Sequence, residues 1–403
     1  MSTGEQRLED YARLVVRVAV NLQAGQTLAV SAGLEHAPLA RAIARQAYQA
    51  GARFVDVVYV DPHVRRAHIE HASEAMLGYS PPWLVTRLRE IGERHDAFIA
   101  ITGEAEPELF ASLDGARVGK ARMRKLSETS LALTDGLSNW TIVGFPNEGW
   151  ARTVFGEPDV ERLWTALATA VRLDEADPAA AWRDHIAALS QRAAALNERR
   201  FDHLRYRGNG TDLTIGLYPE SNWQTALDTS AGIEHIANMP TEEVYTTPDA
   251  RRTEGTVRST LPLQIEGTIV RDLELRFEKG RAVSVSASSG EDVMRTRLAT
   301  DDGAARLGEV ALVDRHSRVG MTGLVFCDTL FDENASSHIA VGASVLQAID
   351  WAGPLSPGER HERGVNQSTV HTDFMIGSDE LEVDGVTADG EIVPLLRHGE
   401  WQL

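Results

Sequence analysis

The stretch TLAVSAGLEHAPLARAIARQAYQAGARFVDVVYV, residues 27–60, sets the fold of the first half of the chain. It opens on a short apolar strand at residues 27–31. Leu39, Ile43 and Ala47 then recur at helical spacing within residues 36–50, and residues 54–60 form a run rich in β-branched side chains. A strand, a helix and a second strand in this order predict two parallel strands of an α/β layer.

The same alternation extends outward to about residue 198. Further strands are predicted at residues 97–101 and 140–145, and helices at residues 83–94, 159–171 and 178–198. From about residue 201, short strands and Gly, Asn and Asp turns dominate, and those at residues 273–277 and 282–285 alternate as antiparallel strands with one wet face do. We therefore predict an α/β N-terminal domain with a mainly parallel sheet (residues 1–197) and an α+β C-terminal domain that carries the functional site (residues 198–403).

Composition narrows the classes of function. The 403 residues carry a formal net charge of −19, which disfavours binding to nucleic acid because phosphate backbones would be repelled. The single cysteine, Cys327, excludes an intrachain disulfide and a thiolate zinc cage, so any metal must be held mainly by His, Asp and Glu. GxxxxGK[ST], GxSxG and HExxH motifs are absent. With no signal peptide and no apolar run near the roughly 20 residues of a membrane span, we expect a cytoplasmic protein without a membrane partner.

Potential metal ligands concentrate in four segments of the second half. These are MPTEEVYTTP (239–248), RLGEVA (306–311), DENASSHIAVG (332–342) and NQSTVHTDF (366–374). In the last of them, His371 and Asp373 are two residues apart and would point to the same face of a strand. An imidazole and a carboxylate on one face suit a divalent metal, although a surface contact between the two side chains explains the pair equally well.

The DENASSHIAVG segment follows residues 323–328, which we interpret as a buried strand. Asp332 is then predicted to cap a helix that runs through residues 335–345, so that Glu333 and His338 approach each other only if a turn precedes this helix. The alternative is a helix cap followed by an ordinary histidine. Glu309, and the adjacent pair Glu242 and Glu243, have an equally simple explanation as solvated acids.

Taken together, these motifs resemble the M29 family of metallo-aminopeptidases. The resemblance is carried by EEVYTTPD, GTVRSTLPL, RLGEVALV, DTLFDENASSHIAVG, GVNQSTVHTDFMIG and DGEIVPLLRHGEW, which fit in order and spacing throughout residues 240–403. It implies a hydrolase that removes N-terminal residues from short peptides with two divalent metal ions (Zn, Co, Mn or Mg). It also implies a homodimer that encloses a cavity.

The resemblance further implies a set of site residues. The metal ligands would be Glu243, Glu309, Glu333, His338, His371 and Asp373, with Glu309 as the bridging carboxylate. Six ligands with four carboxylates are too many for one tetrahedral zinc but fit two metals that share a bridge. Glu242 or Glu243 would assist as the general base.

One position departs from the family pattern. Similar sequences carry a tyrosine seven residues after the histidine, and here that position is Val345. If the family's hydroxyl holds the tetrahedral intermediate, this chain lacks the donor unless Tyr245 replaces it. This departure is the argument for a non-catalytic protein, one of two alternatives that stay open. One is an iron-dependent ring-cleaving dioxygenase built on His338, His371 and Asp373. The other is a non-catalytic protein that binds metal or peptide.

Overall fold

The computed structural model describes residues 3–134 and 136–403 of the chain. The first half alternates helices and strands as predicted. Its elements, in chain order, are α1 (Thr3–Leu14), β1 (Thr27–Gly33), α2 (Ala37–Gln49), β2 (Phe54–Val60), α3 (Pro62–His71), α4 (Pro82–Glu93), β3 (Ala97–Thr102), α5 (Gly115–Lys120), α6 (Arg124–Thr134), β4 (Trp140–Gly144), α7 (Glu148–Phe155), α8 (Val160–Ala170) and α9 (Pro178–Arg199).

The second half is dominated by strands, as its short turn-separated runs predicted. Its elements are β5 (Phe201–Gly208), β6 (Thr211–Leu217), β7 (Leu227–Ser230), β8 (Ile233–Ile236), β9 (Asn238–Met239), β10 (Glu243–Thr246), β11 (Pro248–Arg258), β12 (Leu263–Ile265), β13 (Thr268–Val270), β14 (Glu274–Glu278), β15 (Arg281–Ser286), α10 (Glu291–Leu298), β16 (Leu307–Val313), α11 (Thr329–Ala335), β17 (His338–Gly342), α12 (Pro357–Glu362), β18 (His371–Met375), β19 (Glu382–Thr387), β20 (Ile392–Arg397) and β21 (Glu400–Trp401).

The parallel pairing predicted from residues 27–60 is confirmed. A five-stranded sheet has the order β2-β1-β3-β4-β9, and every neighbouring pair in it is parallel. Helix α2 buries Leu39, Ile43 and Ala47, the three residues whose spacing predicted it. Burial of one helical stripe against the sheet is the arrangement that an α/β layer requires.

Two antiparallel sheets organise the second half. The larger has the strand order β15-β14-β11-β6-β5-β19-β20-β21, and the smaller has the order β10-β16-β17-β18. Strand β14 alternates the buried Leu275 and Phe277 with exposed polar residues, which confirms the predicted wet face. Both sheets contribute to one apolar core, which includes Leu213, Ile215 and Val310.

Two local predictions around the DENASSHIAVG segment are wrong. Residues 323–328 form no strand; they connect a 3₁₀ turn, Gly320–Thr322, to helix α11. The helix predicted over residues 335–345 is also absent. Helix α11 ends at Ala335, and His338 begins strand β17. Residues 338–342 are extended because they pair on one side with β16 and on the other with β18, a long-range interaction that helix-cap reasoning does not consider.

Contacts along the chain define two compact units that are discontinuous in sequence. The first runs to Leu113 and adds Lys120–Ile186 and Ala226–Thr241; the second comprises Asp114–Gly119, Ala187–Thr225 and Glu242–Leu403. The domains predicted as residues 1–197 and 198–403 remain a prediction. Within the described ranges, no helix has the length and apolar character needed to cross a membrane.

Candidate metal centre

The four-stranded sheet β10-β16-β17-β18 places predicted ligands from separate segments on one surface. Glu243 lies on β10, Glu309 on β16, His338 on β17, and His371 and Asp373 on β18. Glu309 and Asp373 both stand opposite Ala340, and His338 stands opposite Ala311, as does Tyr245. Because directly opposed residues in antiparallel strands share a face, as do alternate residues along a strand, all of these side chains project from the same side. His371 and Asp373 were predicted to share one face of a strand, and they do so because both lie in β18.

The opposite face of this sheet is apolar and fixes the register. Its buried residues belong to the main core and include Val244, Val310, Leu312, Ile339 and Phe374. A slip of one residue would move this set to the polar side and carry the ligands into the core. The hydrophobic pattern of the strands therefore determines which carboxylates and imidazoles meet.

A bulge in β16 re-aims the strand at Glu309. The pairing register with β17 shifts between Leu307 and Glu309, and Gly308 is the residue in between. A Cβ at Gly308 would overlap the carbonyl oxygen of Ala343, so only glycine fits this backbone. Bulges are a common means of redirecting a side chain at a functional site.

Helix α11 brings Glu333 to the same cluster. Asp332, one residue earlier, accepts hydrogen bonds from the backbone N–H of Phe326 (2.7 Å) and of Asp328 (3.2 Å). It therefore ties down the loop before α11 and does not cap a helix after it. Asn334 accepts a 2.7 Å hydrogen bond from the backbone N–H of Glu242, which joins α11 to the start of β10.

The ligand atoms lie close enough for shared ions. His338 Nε2 is 2.9 Å from Glu243 Oε2, and His371 Nε2 is 3.1 Å from Glu309 Oε2 and 3.4 Å from Asp373 Oδ1. Three overlapping clusters have their donor atoms within 4.8 Å of one another: Glu243 with Glu309 and His338; Glu309 with His371 and Asp373; and Glu333 with His338 and Asp373. All six predicted ligands thus occur in at least one cluster.

Main-chain carbonyls set the orientation of both imidazoles. His338 Nδ1 is 3.2 Å from the carbonyl oxygen of Ser336, and His371 Nδ1 is 2.8 Å from that of Ala343. An Nδ1–H that donates to a carbonyl leaves the Nε2 lone pair directed at the cluster. Histidines that bind metals usually donate their other ring N–H to a carbonyl or carboxylate in this way.

The electrostatics of the cluster show an excess of negative charge. Burial raises the pKa of Glu309, and it raises the pKa of Glu333 further with the help of the nearby Asp373 and Glu243 carboxylates. Burial alone would lower the pKa of His338, but the hydrogen bond to Glu243 and the surrounding carboxylates raise it to about 10. A cation in the cluster would relieve this repulsion, so the residues present fit a metal site.

The remaining predicted site residues, Glu242 and Tyr245, flank Glu243 closely in the chain. Glu242 is buried immediately before β10, and Tyr245 is half-buried on the ligand face. Val345 follows the end of β17, where its backbone N–H and carbonyl both bond to the Thr247 hydroxyl, at 3.1 and 2.8 Å. Val345 is therefore held on a loop beside the sheet, not on a helix.

Sequence reasoning missed several residues that shape the site. Asn334 and Gly308 were not singled out, although both are adjacent to predicted ligands. Ala311 and Ala340 also escaped notice. Both lie on the ligand face two residues from a predicted ligand, where only a small side chain leaves room between the donors. A search for small residues at two-residue spacing from His338 and Glu309 would have found them.

A buried cluster of carboxylates and histidines has the donor types of a metal site, and here it lies in a protein of mixed α/β content. The family model of the thermophilic metalloproteases (M29) matches residues 4–401. The chain belongs to this M29 family of metallo-aminopeptidases, which are hydrolases, and both the predicted family and the predicted enzyme class are confirmed.

Individual relatives agree over full length. The chain is 43% identical to aminopeptidase T of Thermus aquaticus, with 100% of both chains covered. It is 39% identical to aminopeptidase 2 of Geobacillus stearothermophilus, with 100% of this chain and 99% of the relative covered. Among solved structures, wild-type AmpT from Thermus thermophilus superposes with a TM-score of 0.88 at 41% identity, over 99% of this chain and 100% of that one.

Proposed function

We propose that the chain releases N-terminal residues from short peptides with a pair of divalent metal ions. The ligands are Glu243, Glu309, Glu333, His338, His371 and Asp373. The observation that carries the proposal is the overlap of the donor clusters: Glu309 belongs both to the cluster that contains His338 and to the one that contains His371. His338 and Asp373 also belong to two clusters each. A carboxylate has two oxygens with which to bridge two ions, and the family resemblance selects Glu309 over Asp373 as the bridging carboxylate.

Charge supports two ions over one. Four carboxylates and two neutral imidazoles carry a charge that two divalent cations balance. Nitrogen and carboxylate donors without a thiolate suit Zn²⁺, Co²⁺, Mn²⁺ or Mg²⁺. When bound, such a pair would polarise the peptide carbonyl and lower the pKa of a water molecule for attack.

The side chains next to the ligands supply the remaining proposed roles. Glu242 is the better candidate for holding a proton at its carboxylate, because Glu243 contacts His338 at 2.9 Å and belongs to a donor cluster. The Tyr245 hydroxyl is our candidate hydrogen-bond donor to the reacting carbonyl oxygen. Tyr245 shares the ligand face and stands opposite Ala311, whose small side chain leaves space for the ring.

The oxygenase alternative is not supported by the geometry. A 2-His-1-carboxylate iron site needs both imidazoles and one carboxylate around a single ion. Among residues 3–134 and 136–403, no donor cluster contains both His338 and His371.

The activity is tested with amino-acid p-nitroanilides. Protein treated with a chelator is supplied with Zn²⁺, Co²⁺, Mn²⁺ or Mg²⁺ and assayed on Leu, Arg and aromatic derivatives. We expect metal-dependent release of p-nitroaniline, and no release from the matching N-acetylated compounds, since the free α-amine is the feature that defines an N-terminal residue. Two bound metal equivalents without turnover on any substrate would instead favour the non-catalytic alternative.

Tyr245→Phe tests the proposed donor separately. Loss of one such donor costs about 100-fold or more in kcat. We expect this loss with unchanged metal stoichiometry, because the substitution removes only the hydroxyl. A Tyr245→Phe variant with full activity would remove Tyr245 from the mechanism.

We also propose, on the family resemblance, that the protein is a homodimer and acts in the cytoplasm. Size-exclusion chromatography with light scattering measures the first of these, and a single species of monomer mass would contradict it.

A further inference from the structure

Strand β18 lies at the edge of its sheet and also carries two of the proposed metal ligands. It contributes two of the proposed ligands, His371 and Asp373, yet it is the edge strand of β10-β16-β17-β18 and pairs with β17 on one side only. Edge strands fray more readily because half of their main-chain groups lack a neighbouring strand. Metal ligands, by contrast, need a backbone that holds their geometry closely.

On the side of β18 without a neighbouring strand, the Thr260 N–H donates to the carbonyl oxygen of Met375 at 2.8 Å, and the guanidinium of Arg297 contacts the part around His371 and Thr372. Its Nε donates to Thr372 Oγ1 at 2.8 Å, and its Nη2 donates to the carbonyl oxygen of His371 at 3.2 Å. Its Nη1 donates to Glu266 Oε1 at 2.9 Å, and both side chains of this ion pair are largely buried, at 14% and 16% exposure. Thr372 lies between the two ligands in sequence, so Arg297 contacts the strand at the point where the ligands leave it.

The backbone of Arg297 is held in place by the packing of its helix. Arg297 belongs to helix α10, whose Met294 and Leu298 are buried in the main core. Glu266 lies in the turn between β12 and β13, so one guanidinium connects a helix, a hairpin and the edge strand. A planar, permanently charged fork can meet three acceptors at once, which the ammonium of a lysine on its flexible stem does less well.

We propose that Arg297 is a positioning residue that takes the place of a neighbouring strand for β18 and thereby holds His371 and Asp373 in binding geometry. The inference rests on the proposed ligand set only for its effect on metal binding. The effect on the strand itself follows from the contacts of Arg297 alone and is present in the metal-free protein.

The strand is tested by hydrogen exchange on the metal-free protein. Arg297→Met and Arg297→Lys are compared with Arg295→Met, a control on the same helix whose exposed side chain pairs with Glu291 at 2.6 Å. We expect faster exchange in residues 371–375 for both Arg297 variants, with the lysine variant intermediate and the control unchanged. Equal exchange rates in this strand for Arg297→Lys and for the control would overturn the proposal. This comparison does not need Arg297→Met, so it remains decisive if that variant does not fold.

Metal binding is tested by titration with Co²⁺, whose visible spectrum reports ligand geometry. Changes in groups that orient metal ligands cost about 10- to 100-fold in affinity. We expect that loss for Arg297→Met, with an altered Co²⁺ spectrum and partial recovery in Arg297→Lys. Unchanged affinity and spectrum beside a wild type that binds two ions would refute the positioning role.

The same experiments separate this inference from the proposed function. A wild type that binds no metal, together with an Arg297-dependent exchange rate in residues 371–375, would refute the ligand assignment and leave the strand contact supported. If the wild type binds metal and both Arg297 variants bind it equally well, the positioning role is refuted and the proposed metal site is retained.

Discussion

Glu309→Gln is the substitution that examines the proposed centre most directly. The amide has the shape of the carboxylate, and Glu309 lies in β16, all of whose residues are buried. The strand keeps its pairing opposite Ala340 in the variant, because backbone atoms make that contact. What the substitution removes is one negative charge that two donor clusters share. We therefore expect hydrolysis to be abolished while the fold is kept.

The effect on the metal-free protein follows from the distances. The ligand atoms of Glu243 and of Asp373 each lie within 4.8 Å of Glu309. At an effective dielectric constant of about 20, each such repulsion amounts to about 3.5 kcal/mol. His371 Nε2, 3.1 Å from Glu309 Oε2, offsets about 5 kcal/mol of this when its imidazole is cationic. The donor atom of His338 also lies within 4.8 Å of Glu309, and its cationic imidazole offsets about another 3.5 kcal/mol. Repulsion and attraction therefore nearly cancel, and Glu309→Gln should change the stability of the metal-free protein by only about 2 kcal/mol or less.

The stability that added metal contributes should differ between the wild type and the variant. Free metal at about 100 times its Kd stabilises the wild type by about 2.7 kcal/mol. If the variant binds about 100-fold more weakly, the same metal concentration stabilises it by only about 0.4 kcal/mol. Loss of a shared ligand should weaken metal binding by at least about 100-fold, because changes in residues that only orient the ligands already reach that value.

The assay is thermal unfolding with chelator and with added metal, alongside metal analysis and p-nitroanilide turnover. The exposed Glu274→Gln serves as the control for a change of charge on a strand. Retained turnover and two bound metals in Glu309→Gln would refute the assignment of the bridge. A change in stability in chelator well above about 2 kcal/mol, in either direction, would refute the electrostatic argument.

Three further predictions concern other parts of the site. Val345→Tyr should raise the peptidase rate, by up to about 100-fold if the family's hydroxyl acts as an oxyanion donor; an unchanged kcat would show that its absence costs nothing here. The raised pKa of His338, about 10, means that its imidazole is cationic near neutral pH and must lose a proton before Nε2 binds metal. Metal binding should therefore release protons and strengthen as pH rises toward 10, and calorimetry in buffers of different ionisation enthalpy that detects no release would contradict this. Gly308→Ala should weaken metal binding about 10-fold or more because its Cβ would overlap the Ala343 carbonyl and turn Glu309 away; metal titration of the variant measures this.

Residue patterns predicted the placement of some ligands of the candidate site but not of others. His371 and Asp373 could be placed on one face from spacing alone, because the two-residue period of a strand is local. His338 could not be placed in this way. The acids before it suggested a helix cap, whereas the backbone of residues 338–342 is extended between two strands that arrive from distant parts of the chain. Local propensity loses to long-range pairing in such segments.

Residue patterns were enough to predict the alternation of strands and helices in the first half, the strand-rich second half, and the donor types that a metal could use. These features depend on periodicity and on side-chain chemistry, which are local. Which donors meet depends on long-range pairing, because Glu243, Glu309 and His338 come together through the register of three strands. An apolar face on the other side of the sheet fixes this register. The roles of Gly308, Asn334 and Arg297 also become visible only in the folded protein. Their partners are distant in sequence or are main-chain atoms, which no residue pattern displays.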